Sequence, residues 1–479
     1  MAQSGKKLAE FKTWHKPNME TLQRTANRGS ISTGFDIENS CKFEADNAET
    51  IATTNQAAGN QKTWTWSCWL KRTELGSLQT ILGAGETFIR FDTPDIIQTF
   101  FSSGSSVSTN QVFRDTSAWY HLVWILDTTQ ATAADRSRIY INGSQITSFS
   151  AASYPAQNAD LTVGGTGSST NFLRLAQYWA GGRNYAGYMA EIHYLNGTVA
   201  EPTEFGEYDS DSGIWIPKQY TGGGYGTQGF YYKFDNASNL GEDSSGEGHD
   251  ANSLGNITSA DQATDTPTNN FCTLNPLYNY AYGNTITEGA TKIYGAANNW
   301  GGGKATFGLT SGKWYWEIKQ LSNGNTFMGL QTDGEDNISS GNAQSQNTSV
   351  VFYTDGTLQY SNGIETTTSA ANSIVANSIV GFALDLDSST QTIKVYLNGS
   401  LITAFGSSGT ANLSTYNLAN KTIFPFVALY DRTVNMNFGG YTVSSISSAA
   451  SDDNGYGTFE YAPPSGYYAL CTKNLAEYG

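Results

Sequence analysis

Residues 139–149 read IYINGSQITSF, and residues 395–405 read VYLNGSLITAF. Each stretch sets an Asn-Gly pair between two runs of alternating apolar and polar residues. Asn-Gly suits a two-residue type I′ turn, whose central residues both need positive φ, and a period of two marks a strand with one buried face. A chain that writes this hairpin twice is expected to build two antiparallel sheets around the same strand, turn and return strand.

The same alternation recurs elsewhere. In GKWYWEIKQL, Trp314, Trp316 and Ile318 share one face while Tyr315, Glu317 and Lys319 share the other. Leu122, Trp124 and Leu126 do so in HLVWILD, and Ile393, Val395 and Leu397 in QTIKVYLNG. A second echo pairs KTWTWSCWLKR (62–72) with GKWYWEIKQ (312–320). Asn-Gly occurs at Asn142, Asn196, Asn323, Asn362, Asn398 and Asn454. The only helical candidate, residues 7–22, is interrupted by Pro17. Charged residues make up 14% of the chain, against about 25% in an average soluble domain. With 51 glycines and 13% aromatics, that balance fits strands joined by many turns.

A length of 479 residues exceeds one ordinary core. The expected fold class is therefore all-β: two antiparallel, jelly-roll, lectin-like β-sandwich domains joined by a Gly-rich acidic connector. The expected divisions are a basic arm (1–31), a first sandwich (32–206), the connector (207–270), a second sandwich (271–441), and a linker with a terminal strand (442–479).

The net charge of −16 is unevenly placed. Residues 1–30 carry six Lys/Arg against two Glu, whereas residues 201–270 carry twelve acids against two lysines. Such an acidic chain repels phosphate backbones, which argues against nucleic acid as a partner. Apolar runs such as LVWIL are strand-sized, so no membrane insertion is expected. The first thirty residues have no apolar core of a signal peptide, and none is expected. Cys41, Cys68, Cys272 and Cys471 show no metal-ligand spacing and read as reduced, mostly buried thiols.

The motifs WTWSCWLKR, AWYHLVWILDTTQ, RIYING and YAGYMAEIHYLNG resemble a laminin-G-like, concanavalin-type module over residues 32–206. GKWYWEIK, VGFALDLDSSTQTIKVYLNG, IFPFVALY and VNMNFGG resemble a SPRY domain over residues 271–439. DTPTNNFCTLNPL and PPSGYYALCTKNL resemble segments of structural proteins of tailed bacteriophages, in which this pair of modules is common; Cys-Thr-x-Asn occurs in both, at Cys272 and Cys471. The resemblance implies a virion protein, made in the host cytoplasm and released by lysis.

No catalytic set emerges. Glucanases of the concanavalin type present Glu-x-Asp-x-x-Glu on one strand, and this chain offers only Asp36 and Glu38 in FDIEN. Glu191 matches a structural position of laminin-G-like modules. Gly224, Gly226 and Gly229 precede a strand-like FYYKF rather than a helix, so they read as turns. GGGKAT lacks the phosphate-loop hydroxyl residue, since Ala305 stands in its place. His15, His121, His193 and His249 are scattered, and His121 and His193 sit in strand patterns. The protein is expected to be no enzyme.

Sugar rings bind flat aromatic faces flanked by planar polar groups. The candidate ligand residues are Trp300 and Asn299, beside Asn298 on a Gly-flanked loop; Tyr430 and Arg432 in LYDRTV; and Trp179, Arg183 and Tyr185 in QYWAGGRNYAG. No cofactor is expected except calcium, for which Asp243 and Asp250 in EDSSGEGHD are the candidates; the plainer alternative is an Asp-rich solvent turn. These features lead to an expected appendage of the tail-fibre or spike type, with host-surface glycan or a receptor as partner. Its N-terminal arm would meet other virion proteins, with homo-oligomerisation in the virion. A decoration or cement protein is the alternative, and a polysaccharide depolymerase the third.

Overall fold

A strand with two faces needs two partners, and the central strands of this protein find both. The computed structural model describes residues 35–53, 59–165, 173–278, 283–295, 298–332, 349–360, 363–365, 373–404 and 408–479. The expected basic arm, the helical candidate 7–22 and His15 lie outside the described residues.

Thr63–Arg72 runs between Tyr120–Asp127 and Gly187–Asn196, antiparallel to both. Trp64, Trp66, Cys68 and Leu70 enter the first core with Leu122, Trp124 and Leu126. A second antiparallel sheet, which includes Ser106–Val112, Ile96–Phe100, Thr87–Asp92 and Gln79–Ala84, supplies Ile81, Leu82, Ile89, Phe91 and Ile97 to the same core. Lys313–Gln320 has the corresponding place in the second sandwich, between Ile379–Asp385 and Thr433–Asn437. Its Trp314, Trp316 and Ile318 pack with Met328 and Leu330 of Thr326–Thr332 and with Val427 and Leu429 of Ile423–Tyr430, both in the opposing sheet. The protein is all-β, built on two antiparallel sandwiches.

The repeated hairpin is repeated in space. Asn142 and Gly143 have φ of 47° and 76°, and Asn398 and Gly399 have 48° and 77°, the left-handed values of a type I′ turn. Each asparagine side chain also accepts a backbone N–H of the neighbouring strand: Asn142 Oδ1 from His121 at 2.8 Å, and Asn398 Oδ1 from Ile379 at 2.9 Å. An aromatic ring packs on each turn glycine, Trp215 on Gly143 and Tyr461 on Gly399, where a β-carbon would collide with it.

Those two rings come from the segments expected to be the connector, packing partly through GFYYKF, and the C-terminal linker, and both segments pack more extensively than that. Residues 207–270 do not simply bridge the sandwiches. Phe230–Tyr232 pairs with Gly187–Asn196, Ser253–Gly255 with Thr50–Thr53, and Gln262–Ala263 with Ser40–Phe43, so the segment extends both sheets of the first sandwich. Phe205, Tyr220 and Tyr225 cover Val123, Ile125 and Leu195 on the outer face of the central sheet. In the second sandwich, Phe459, Tyr467 and Ala469 cover Tyr315 and Ala383. Burying one such ring stabilises by roughly 1.5–3 kcal/mol. The expected terminal strand is only Tyr468–Ala469, parallel to Lys313–Gln320, and a helix follows at Thr472–Tyr478.

Polar side chains buried at the joint hold the sandwiches together. Lys71 Nζ lies 2.7 Å from Asp265 Oδ2, and also donates to Asn270 Oδ1 and to the Phe271 carbonyl, each at 2.7 Å. Lys42 Nζ meets Glu49, Asp261 and, in the second sandwich, Glu288, at 2.9, 2.8 and 3.0 Å. The Glu288 N–H donates to Glu44, and the Tyr188 hydroxyl donates to the Gly289 carbonyl at 2.7 Å. The two Cys-Thr-x-Asn segments meet here as well: Phe271 bridges Cys471, and the Cys272 N–H donates to the Leu470 carbonyl at 2.9 Å. All four cysteines are buried and free.

Candidate functional site

The outer face of the second sandwich's smaller sheet carries a strip of aromatic rings. Trp300 opens the strand Trp300–Lys304, rather than standing on a loop as expected, and pairs in register with Tyr430. Gly303, farther along this strand, gives Ile293 and Leu274 room that a β-carbon would fill. The Trp300 ring stacks on Phe327 at 4.8 Å and meets Tyr430 edge-on at 5.7 Å, and Phe327 meets Tyr353 at 4.7 Å. Trp300, Tyr353 and Tyr430 are half-buried, while Asn298, Asn299 and Asn325 are exposed beside them.

Polar groups fix the rim of the strip. The Tyr353 hydroxyl donates to Asn325 Oδ1 at 2.6 Å, and the Tyr294 hydroxyl donates to Asp431 Oδ1 at 2.5 Å. Asp431 has φ of 51° and turns the chain so that the Arg432 guanidinium lies against Gly324, where a side chain would displace it. The structure therefore gathers Asn299, Trp300, Tyr430 and Arg432 at one end of one sheet. Phe327, Tyr353 and Asn325 belong with them and were missed, because Phe327 and Tyr353 reach the strip only through strand register and Asn325 only through the Tyr353 hydroxyl.

The candidates of the first sandwich form a separate cluster. Trp179 Nε1 and the Tyr178 hydroxyl both donate to Glu86 Oε1, at 3.1 and 2.9 Å. The exposed Arg183 guanidinium lies 4.3 Å from the centre of the Tyr178 ring. Tyr185 does not belong to it: it is fully buried, and its hydroxyl donates to the Lys71 carbonyl at 2.7 Å. Its Gly-rich flank suggested a loop, but the chain re-enters the core two residues after Arg183. Among the described residues, no hydrogen bond, ion pair or ring contact joins this cluster to the Trp300 strip.

Asp243 and Asp250, the expected cation ligands, lie in a hydrogen-bonded turn. Asp243 Oδ1 accepts the Tyr231 and Ser245 N–H groups, both at 2.9 Å, while Oδ2 accepts the Ser245 hydroxyl and the His249 N–H, both at 2.8 Å. Asp250 Oδ1 accepts the Asp243 N–H at 2.8 Å. Both oxygens of Asp243 are committed to shaping the turn. Among the described residues, no three His, Cys, Asp or Glu side chains are grouped to hold a metal ion.

One serine–histidine pair among the described residues has a catalytic spacing: Ser67 Oγ lies 2.8 Å from His121 Nε2. Trp215 Nε1–H donates to His121 Nδ1 at 3.0 Å, so Nδ1 carries no proton and Nε2 must carry it. Nε2 then donates to the serine, the reverse of what a general base does. Burial holds the ring neutral by lowering its pKa to about 3. His193 is filled in likewise, stacked at 4.1 Å on Tyr231, whose hydroxyl donates to Glu191 at 2.5 Å.

Residues 45–202 match the family model described as the Concanavalin A-like lectin/glucanases superfamily. No curated protein matches the chain. Among solved structures it is similar to the SPRY domain of human HERC1, at 19% identity and TM-score 0.26, over 34% of this chain and 96% of that one. It is also similar to a Bacteroides ovatus ATCC 8483 protein described as carbohydrate-binding, at 16% identity and TM-score 0.34, over 45% of this chain and 58% of that one. Domains LG4-5 of the mouse laminin alpha1 chain align at 8% identity and TM-score 0.31, over 90% of this chain and 96% of that one. At such identities and TM-scores these likenesses carry no argument about ligand or function. The first sandwich has the lectin-like, laminin-G type of fold, and SPRY domains are among the chain's structural neighbours.

Proposed function

We propose that this protein is a non-enzymatic virion component of a tailed bacteriophage that presents lectin-like surface to host or environmental glycans. The observation that carries the adhesive part is the Trp300–Tyr430 strip, where half-buried rings are edged by Asn299, Asn325 and Arg432. Rings of this kind stack on the C–H faces of sugars, and amide and guanidinium groups meet the hydroxyls. The virion setting is supported by the resemblance of the joint and of the C-terminal segment to phage structural proteins. In this reading, residues 1–30 dock on an acidic face of a neighbouring virion protein, and several copies act together.

Particles labelled with antibody against the second sandwich, located by electron microscopy and assayed for host adsorption, test the proposal. Label at the tail with blocked adsorption supports a host-binding appendage. Label spread over the head with normal adsorption replaces that reading with a decoration protein. Glycan arrays that stay blank for wild type and for Trp300→Ala alike end the lectin reading.

A further inference from the structure

A cleft of about 400 Å³ opens where three segments meet: residues 36–38 ahead of the first sheet, the joint 264–271, and the C-terminal segment at residues 455–458 with Lys473. Its size lies within the range of about 300–1,000 Å³ usual for small-molecule sites, which favour domain interfaces.

The wall is chemically mixed. Tyr456 packs by one side against the Phe271, Tyr315 and Phe459 cluster, and the Lys473 ammonium lies 5.7 Å from its ring centre. Lys473 is paired with Asp36 at 3.1 Å, which leaves Glu38 as an exposed carboxylate with no partner among the described residues. Asn269 and Thr458 complete the polar lining.

The wall is also rigid before anything binds. The buried Asp452 accepts the Asn454 and Tyr456 N–H groups at 2.9 Å on Oδ1, and the Ala469 N–H and Asn474 Nδ2 at 2.8 Å on Oδ2. That carboxylate sits behind the loop and sets the position of Tyr456, so little ordering cost remains for a ligand to meet. Gly455, with φ of 81°, has open space where a side chain would stand.

We propose that this cleft is a second saccharide site, taking roughly one or two rings without acidic groups. A sugar face would lie on Tyr456, with its hydroxyls or an amino group held by Glu38 and Asp36. Two carboxylates against one ammonium exclude uronic or sulfated sugars by charge. The proposal takes its ligand class from the adhesion reading but uses none of the same residues.

The test is calorimetric titration of the full chain with maltotetraose, a glucosamine tetramer and a galacturonate tetramer, on wild type, Trp300→Ala, Tyr456→Ala and Glu38→Gln. Glu38 is exposed and unpartnered, so its variant keeps the fold even where Tyr456→Ala does not. We expect binding of the first two probes to survive Trp300→Ala and, on that background, to weaken about tenfold or more when Tyr456→Ala is added. Glu38→Gln should weaken the glucosamine tetramer most. Loss of all binding in Trp300→Ala with Tyr456→Ala unchanged overturns the cleft and leaves the strip standing; the converse removes the strip and keeps the cleft. Galacturonate bound as well as the others, or no binding in the Trp300→Ala protein, also overturns the cleft.

Discussion

Lys71 and Asp265, 194 residues apart in the chain, meet at 2.7 Å with no more than 1% of either side chain exposed. Asp265 also accepts the Trp119 indole N–H at 3.1 Å and the Phe271 N–H at 3.2 Å. Removing one partner of a buried pair leaves the other charge stranded, at a cost of about 3–5 kcal/mol. Asp265→Ala and Lys71→Met should each lose that much in denaturant unfolding. The double variant should lose clearly less than the sum.

Glu44 gives the joint a pH dependence. Burial raises its carboxyl from 4.5 to about 7, opposed by the Glu288 N–H that it accepts and by the Lys42 charge, while the Glu288 charge adds to the rise. The folded protein therefore holds a proton over a range in which the unfolded chain has released it. Stability should fall as pH climbs from about 4.5 through 7, by up to about 3 kcal/mol. Burial also raises Glu49, which acts in the same direction. Unfolding at pH 5.5 and pH 8 measures the slope, and Glu44→Gln should flatten it.

Glu317 fastens the C-terminal segment to the second sandwich. Its Oε2 accepts the Glu460 N–H at 2.9 Å, and its Oε1 accepts the Tyr461 N–H at 2.8 Å. Glu317→Ala should cost about 2–3 kcal/mol through the donors it leaves unmatched. Hydrogen exchange should accelerate at Glu460 and Tyr461 before it does in the core strands.

Asp243 offers a direct check on the turn beside Tyr231. Because its four donors come from the protein, EDTA should leave the Tm unchanged. Asp243→Ala should lower stability by about 1–3 kcal/mol with or without calcium.

The Asn-Gly hairpins were legible in the sequence because the turn admits few residues and the pleat dictates the alternation. The acidic stretch misled for the opposite reason. It read as a connector, yet Asp261 and Asp265 are buried against Lys42 and Lys71, partners that sequence distance conceals. Alternation puts Tyr315 and Glu317 on one face of Lys313–Gln320 but does not say what meets that face, and only the fold shows that residues 459–469 cover it. Trp300 and Tyr430 could be picked out by their Gly and Asp-Arg surroundings. Their neighbour Phe327 reads simply as a strand residue, and so does Val351 behind it.

The bridge between Phe271 and Cys471 means that the polypeptide enters and leaves the second sandwich at almost one point. A unit whose doorway and exit coincide can be lengthened, shortened or replaced between its two ends without changing the distance that the rest of the chain must span.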